Sequence, residues 1–512
     1  MFRRISTAAA LLVTTALVAT ACSTTPGPDD EHGGRADRLT LVSISAPVSY
    51  DIGLGAETGT RSQYFEAVFD TLLQQDAAGD IGPRLATEWE YDDERTRLTL
   101  TLRDGVEFTD GTPVDAAAVV ASLERLRDGT SQAAGRLTGQ EYEVVDDGTV
   151  AISLPEPDPG LLSALSTNAG LIASPASFDD PDVETRPVGS GPYVLDVDAT
   201  VSGTTYSFTA NEDYWDADAV HYDNLTINVI ADPTAMLNAI LAGETDAAAA
   251  DNRSLAEIEG AGWSLTDLEG SVEGMLLLDR DGTIEPALAD VRVRQAINMA
   301  FDREALLDAL QDGHGTVSEQ VFLSTSPSFD PALDEHYGYD PEGAREMLAE
   351  AGYPDGFAIT MPSIGAYQTT LDLVAQQLAD IGITVAYEDP GPGNFVTSVL
   401  APKYAMTWMS VGLMHEWDHL AFLVTPDATF NPFATRTDEV DGLLREIQFG
   451  DEEQAATATS ALKELLVDEA WFAPFFRVDG HYATSPETTY DADTWVLGSY
   501  PSIFGFSPAA AS

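Results

Sequence analysis

The chain reads as an α/β protein with more than one sheet, and three observations predict this. Alternating apolar and polar runs that suit strands are interleaved with apolar residues at helical spacing along the whole length. Apolar residues make up 44% of the chain, ordinary for a protein that buries a core. Cys22 is the only cysteine, so no intrachain disulfide can form and stability must come from a large core. The 512 residues allow two to four domains at ~100–200 residues each.

The elements follow in order. Residues 23–38 are polar, with Pro, Gly and Asp, the composition of a flexible tether. Residues 39–44 alternate as a strand. Residues 64–73 place Phe65, Val68, Phe69 and Leu72 at helical spacing. Residues 97–102 suit a strand, and residues 115–127 a helix with Val119, Val120, Leu123 and Leu126 on one face. Residues 144–152 read as a hairpin on the Asp147-Gly148 turn. Residues 206–208 and 225–230 are strands and residues 234–242 a helix. Residues 405–411 are strand-like. No fixed-period repeat appears.

Charge excludes some partners. Asp and Glu number 85 against 24 Lys and Arg, a formal net of −61. Such a surface repels nucleic acid and anionic lipid, so no nucleic-acid partner is expected. It attracts cationic or zwitterionic solutes modestly, screened by salt over ~8–10 Å. The acids are spread along the chain rather than blocked into a tail, which suits a folded acidic surface that keeps the protein soluble.

The start of the chain carries its own signal. Arg3 and Arg4 precede an apolar run over residues 8–18, and Ala19-Thr20-Ala21-Cys22 closes it with small residues before the thiol. This order predicts an export signal over residues 1–21. The run is too short for a membrane span, which needs ~20 residues. The end resembles a bacterial lipobox, with Ala19 where Leu is usual. That resemblance implies cleavage before Cys22, acylation of its sulfur and amino end, and a lipidated tether over residues 22–38 at the outer face of the membrane. A freely secreted protein with an incidental cysteine, or a buried thiol, are the alternatives.

Local phrases then accumulate, each with a plain structural job. Ile81-Gly82-Pro83-Arg84-Leu85-Ala86-Thr87-Glu88-Trp89-Glu90 precedes Leu100-Thr101-Leu102-Arg103-Asp104-Gly105-Val106-Glu107-Phe108-Thr109-Asp110-Gly111-Thr112-Pro113-Val114, whose Asp-Gly pairs turn between short strands. Val188-Gly189-Ser190-Gly191-Pro192-Tyr193 is a tight corner. Asn211-Glu212-Asp213-Tyr214-Trp215 precedes a strand, and Leu241-Ala242-Gly243-Glu244-Thr245-Asp246 closes a helix. Asp290-Val291-Arg292-Val293-Arg294 opens another, with the arginines suited to packing or helix-start salt bridges. Tyr339-Asp340-Pro341 caps the helix over residues 342–351, which stops at Gly352 before Tyr353-Pro354-Asp355-Gly356-Phe357. In this order the phrases resemble solute-binding protein family 5, the peptide/nickel-type receptors of ABC importers.

The resemblance implies a two-lobed, periplasmic-binding-protein-like α/β fold (type II, cluster C). Lobe I would comprise residues 39–60, 185–270 and 485–512, an extra subdomain of that lobe residues 61–184, and lobe II residues 271–484. The chain would cross between lobes near Gly270 and Gly480, closing by a hinge around a ligand. The implied partners are a peptide or small-molecule ligand and the transmembrane subunits of an ABC permease, the protein itself being a monomer. Neither catalysis nor a cofactor is expected.

His415-Glu416-Trp417-Asp418-His419 competes with that reading. It matches H-E-x-x-H, in which two His four apart on a helix bind Zn and Glu acts as base. Here Asp418 puts a charge between them, and His481 is the only later His. By the family resemblance the same residues form a loop entering the cleft from the second lobe. Peptide-binding members carry there an acid that pairs with the ligand's α-ammonium, a place Glu416 or Asp418 would take. Trp417-Asp418-His419 also echoes the loop of nickel-type members, which makes a metal chelate the alternative ligand. Candidate ligand contacts are therefore His415, Glu416, Trp417 and Asp418, with the aromatics Tyr50, Tyr367 and Trp408, which could equally be core. Trp89, Tyr193 and Trp215 are assigned to packing.

Overall fold

The computed structural model describes residues 35–510 except 323, 327, 328, 413 and 496–499. The expectations for the export signal and Cys22 lie outside the described residues, as does all of the tether before residue 35.

The first strand, Ala36–Ser43, begins three residues earlier than its alternating pattern indicates, because Ala36 and Arg38 already pair in parallel with Tyr222 and Asn224. It sits near the middle of a mixed nine-stranded sheet. The order is Tyr193–Leu195, Thr205–Ala210, Tyr222–Val229, Ala36–Ser43, Ala247–Ala250, Phe472–Thr484, Ser264–Leu277, Met406–Gly412, with Thr316–Val317 also paired to Phe472–Thr484. A separate four-stranded antiparallel sheet orders Ala86–Tyr91, Arg97–Leu102, Thr149–Ser153 and Glu141–Asp146. Its hairpin forms at the expected Asp-Gly turn, where Asp146 accepts from the Gly148 amide at 3.0 Å. Helix Ala116–Arg127 packs beside it, capped by Asp115, which accepts from the Ala118 amide at 2.8 Å. Asp232, Asp290, Asp302 and Asp340 cap later helices in the same way. Arg292 pairs with Asp290 at 2.6 Å, and Arg294 donates to the carbonyls of Leu288 and Glu469 at 2.8 Å, so both arginines brace a helix start.

One helix is shorter than its pattern. Residues 64–73 keep helical spacing, yet the helix is Ser62–Val68 and the chain turns extended at Phe69. The cause is Asp70. Its fully buried carboxylate accepts from Arg84, Ser190 and Tyr214 at 2.9 Å each and from Trp215 at 3.1 Å. Four tertiary donors outweigh the local preference for one more helical turn.

The core is divided. Tyr64, Phe65, Phe69, Leu100, Leu123, Ile152, Phe208 and Ile227 belong to one large apolar cluster built from the first 250 residues and the C-terminal segment. Residues between 272 and 476 supply two others, one around Phe301, Phe475 and Phe476, the other around Leu420, Leu462 and Trp471. The antiparallel strands Ser264–Leu277 and Phe472–Thr484 run from the first side to the second, and their register slips between Glu269 and Ser271 beside Gly270.

On the second side, Phe357–Pro362 and Ile383–Glu388 pair in parallel. Gly356 makes that approach possible. Its φ is +69°, and an added Cβ would lie 1.8 Å from the Gly382 carbonyl oxygen. Gly356→Ala is expected to cost about 1–3 kcal/mol from left-handed strain alone, read as a lowered urea midpoint. An unchanged midpoint would show that the turn relaxes freely.

Candidate functional site

Strand Met406–Gly412 lies antiparallel to Ser264–Leu277, with Trp408 opposite Met275 and Ser410 opposite Glu273. It delivers the chain to residues 414–419. These were expected as a loop. They are instead the start of helix Glu416–Leu423, with His415 at its N-cap and the His419 amide donating to the His415 carbonyl at 2.9 Å. The helical turn decides which side chains meet, because residues three and four apart share a face.

His415, Glu416 and His419 all line one cavity of about 200 Å³, together with Phe322, Ser326 and Met414. Its opposite wall is the turn at residues 75–80, which follows strand Leu73–Gln75 of the first core. Gln75 and Asp80 also line an adjoining cavity of about 400 Å³ among Phe65, Phe69, Trp215 and Phe504. Trp215, assigned to packing, thus packs through its indole N–H on Asp70 and shows its ring to this space.

Charge in the first cavity is paired. Lys463, on helix Glu452–Asp468, is buried to 1% side-chain exposure. Its ammonium pairs with Glu416, donates to the Ser326 hydroxyl at 2.7 Å and stands 4.7 Å from the centre of the Phe322 ring. Ser326 in turn donates to Glu416. Burial pulls the Lys463 pKa below its ordinary value, with Glu416 opposing. His419 is buried against Phe322, ring centres 5.7 Å apart. Burial first, then the Lys463 charge, pushes its pKa down to about 4, so the imidazole is neutral at pH 7. It hydrogen-bonds the Val321 backbone, while its Nε2 has no hydrogen-bond partner among the described residues.

Trp417 and Asp418 face elsewhere. Trp417 lines a cavity of about 1010 Å³ between residues 135–158 and helix Asp438–Phe449. Asp418 lies 3.0 Å from the Arg136 guanidinium, which also pairs with Asp158 at 3.2 Å. Burial raises the Asp418 pKa, against the lowering pull of Arg136 and His415. Both carboxylates expected to meet a ligand ammonium therefore already have a cation beside them.

The three aromatics line neither of these cavities. Tyr50 is buried in the first core, 6.1 Å from Phe65 and 6.5 Å from Tyr206 between ring centres, its hydroxyl pKa pushed well up by burial. Trp408 packs at a tilt on Tyr367, ring centres 4.7 Å apart, and Tyr367 meets Phe395 at 5.2 Å. None of the three lines the cavity at Glu416. The zinc alternative needs a third ligand. Among the described residues no group of three or more His, Cys, Asp or Glu is placed to hold a metal ion.

Gln75, Asp80, Phe322, Ser326 and Lys463 escaped sequence reading. One signal was available for Lys463. It is one of two lysines in a chain that otherwise uses arginine, and it sits amid the apolar positions of a helix.

Residues 80–431 match the family described as bacterial extracellular solute-binding proteins, family 5, middle region. The chain belongs to that family. Among curated relatives, it is 29% identical over 357 residues to heme-binding protein A of Haemophilus influenzae, covering 62% of each chain. It is 30% identical over 311 residues to glutathione-binding protein GsiB of Salmonella paratyphi A, covering 58% of this chain and 59% of that one. The alignments thus span about three fifths of each relative's length. Among solved structures, HbpA2 from Haemophilus parasuis superposes with a TM-score of 0.81 at 21% identity, over 93% of this chain and all of that one. The substrate-binding protein CtaP of Listeria monocytogenes gives 0.78 at 19%, with the same coverage. The family 5 chain therefore has the two-lobed α/β fold of periplasmic binding proteins. No helix among the described residues is long and apolar enough to cross a membrane.

Proposed function

We propose that this chain is the exported receptor of an ABC importer, which captures a peptide or similar small polar solute in a cleft and delivers it to the transmembrane permease. One observation carries the reading. In a family 5 chain, a cavity is walled on one side by residues 75–80 of the first core and on the other by His415, Glu416 and His419 of the second. A solute held there touches both sides and is enclosed when they close. The divided core supports a boundary near residue 271 between the first side and the second, and Gly270 and Gly480 stand where the two long strands pass between cores; in this reading lobe I comprises residues 39–60, 185–270 and 485–512 with the extra subdomain 61–184, and lobe II residues 271–484. Glu416, with its charge offset by the buried Lys463, lines the cavity beside the neutral His419, which suits a polar solute better than a bare ion. In this reading the protein binds without catalysis, acts as a monomer, and is tethered to the outer face of the membrane through an acylated Cys22.

Thermal shift tests it. The full chain is screened against di- to pentapeptides, nickel–histidine and sugars. At least one peptide is expected to raise the melting temperature, since ligand at 100 times Kd adds about 2.7 kcal/mol. A response to nickel–histidine or a sugar with none to any peptide would overturn the peptide assignment, and no response to any probe would overturn the receptor reading for these solute classes.

A further inference from the structure

The helix that carries the pocket residues is held from behind. Glu416 and His419 look into the pocket, while Asp418 meets Arg136, which belongs to a turn of 3-10 helix, Gln132–Leu137, far earlier in the chain. Arg136 is itself oriented by Asp158, whose Oδ1 accepts from the Gly160 amide at 2.9 Å. Gly160 leaves room for this meeting. A Cβ there would lie 2.5 Å from Asp418 Oδ1 and 2.7 Å from Arg136 Nη2. A second fastening runs beside it. Arg95 donates to the Gln448 carbonyl, and Gln448 Nε2 donates to the Pro157 carbonyl at 2.9 Å. Residues 95, 136 and 157–160 thus grip two helices of the second side, one of which forms the pocket wall.

We propose that Arg136 is a positioning residue for the ligand pocket: by holding Asp418, it fixes the first turn of helix Glu416–Leu423 and so the placement of His415, Glu416 and His419. The inference rests on reading that turn as ligand-facing. A desolvated carboxylate facing a guanidinium favours one geometry of the helix start over many. The extra segment at residues 132–160 then does more than cover the first core, because closing it on the second side and forming the pocket become one event.

Amide hydrogen exchange on the ligand-free full chain tests this, which keeps the outcome independent of whether any peptide binds. In Arg136→Gln, exchange over residues 414–425 is expected to rise on the order of tenfold, the size set by losing one partly buried ion pair. Strand Ala36–Ser43 should stay unchanged. Gly160→Ala, which crowds the same contact from the other side, should give the same pattern. The exchanged pair Arg136→Asp with Asp418→Arg should return residues 414–425 to the parent rate, which a general loss of stability would not do. Exchange unchanged over residues 414–425, a uniform rise across the chain, or no recovery in the exchanged pair would each overturn the proposal.

Discussion

Arg477→Met is expected to destabilise the protein by about 3–5 kcal/mol, the cost of removing one partner from a buried ionic cluster. The Arg477 side chain is 2% exposed on strand Phe472–Thr484, opposite Val272 of the neighbouring long strand. Its Nε donates to Glu269 at 2.9 Å, its Nη2 to Asp334 at 2.8 Å and its Nη1 to Ser318 at 2.7 Å. Both carboxylates are themselves largely buried, at 15% and 13% side-chain exposure. Methionine fills much of the volume but leaves two acids without a counter-charge, next to the slip in register at Gly270. Urea denaturation reads the loss. Adding Glu269→Gln and Asp334→Asn should recover part of it, because three neutral groups carry no unpaired buried charge. A loss under about 1 kcal/mol would mean the cluster behaves as an exposed ion pair.

Stability is expected to fall as pH drops from 6.5 to about 4, and His419 is expected to account for much of the fall. Its folded pKa is depressed to about 4 by burial and by the Lys463 charge, against 6.5 when exposed. Above pH 6.5 neither state binds the proton and the folded protein bears no penalty. Below it the unfolded chain protonates first and is favoured by about 1.4 kcal/mol per pH unit, or roughly 3 kcal/mol in all, until the folded imidazole also protonates near pH 4. His419→Leu should flatten this part of the profile even if it changes stability at pH 7. A slope that persists unaltered in the variant would assign the loss to other groups. Since the same ring lines the proposed pocket and stays neutral in the folded protein until about pH 4, ligand capture by the folded protein should change only near that pH.

Much of the scaffold was legible because its signals are local. The Asp147-Gly148 turn, the caps at Asp115, Asp290 and Asp340, and the strand near Leu39 each depend on neighbours within a few residues. The Ser62–Val68 helix shows where that stops. Its spacing continued to Leu72, but Asp70 obeys donors from Ser190, Tyr214 and Trp215, more than a hundred residues away. The site divides along the same line. The motif at residues 415–419 was visible as a run of chemical groups. That Glu416 and His419 share a cavity while Asp418 turns from it depends on a helix the strand-then-loop expectation omitted.

The sequence by itself determined the α/β class, the order of most elements, the absence of disulfides and the family, since periodicity, turn chemistry and motif order are properties of short stretches read in line. Only the tertiary structure decided that Tyr50 and Trp408 are buried and that Tyr367 packs half-buried against Trp408. It also decided that Lys463 neutralises Glu416 and that Arg136 holds Asp418. Those pairs join residues 47 and 282 positions apart. Their energies depend on burial and on the direction of each side chain, and both arise only when distant segments pack and exclude water.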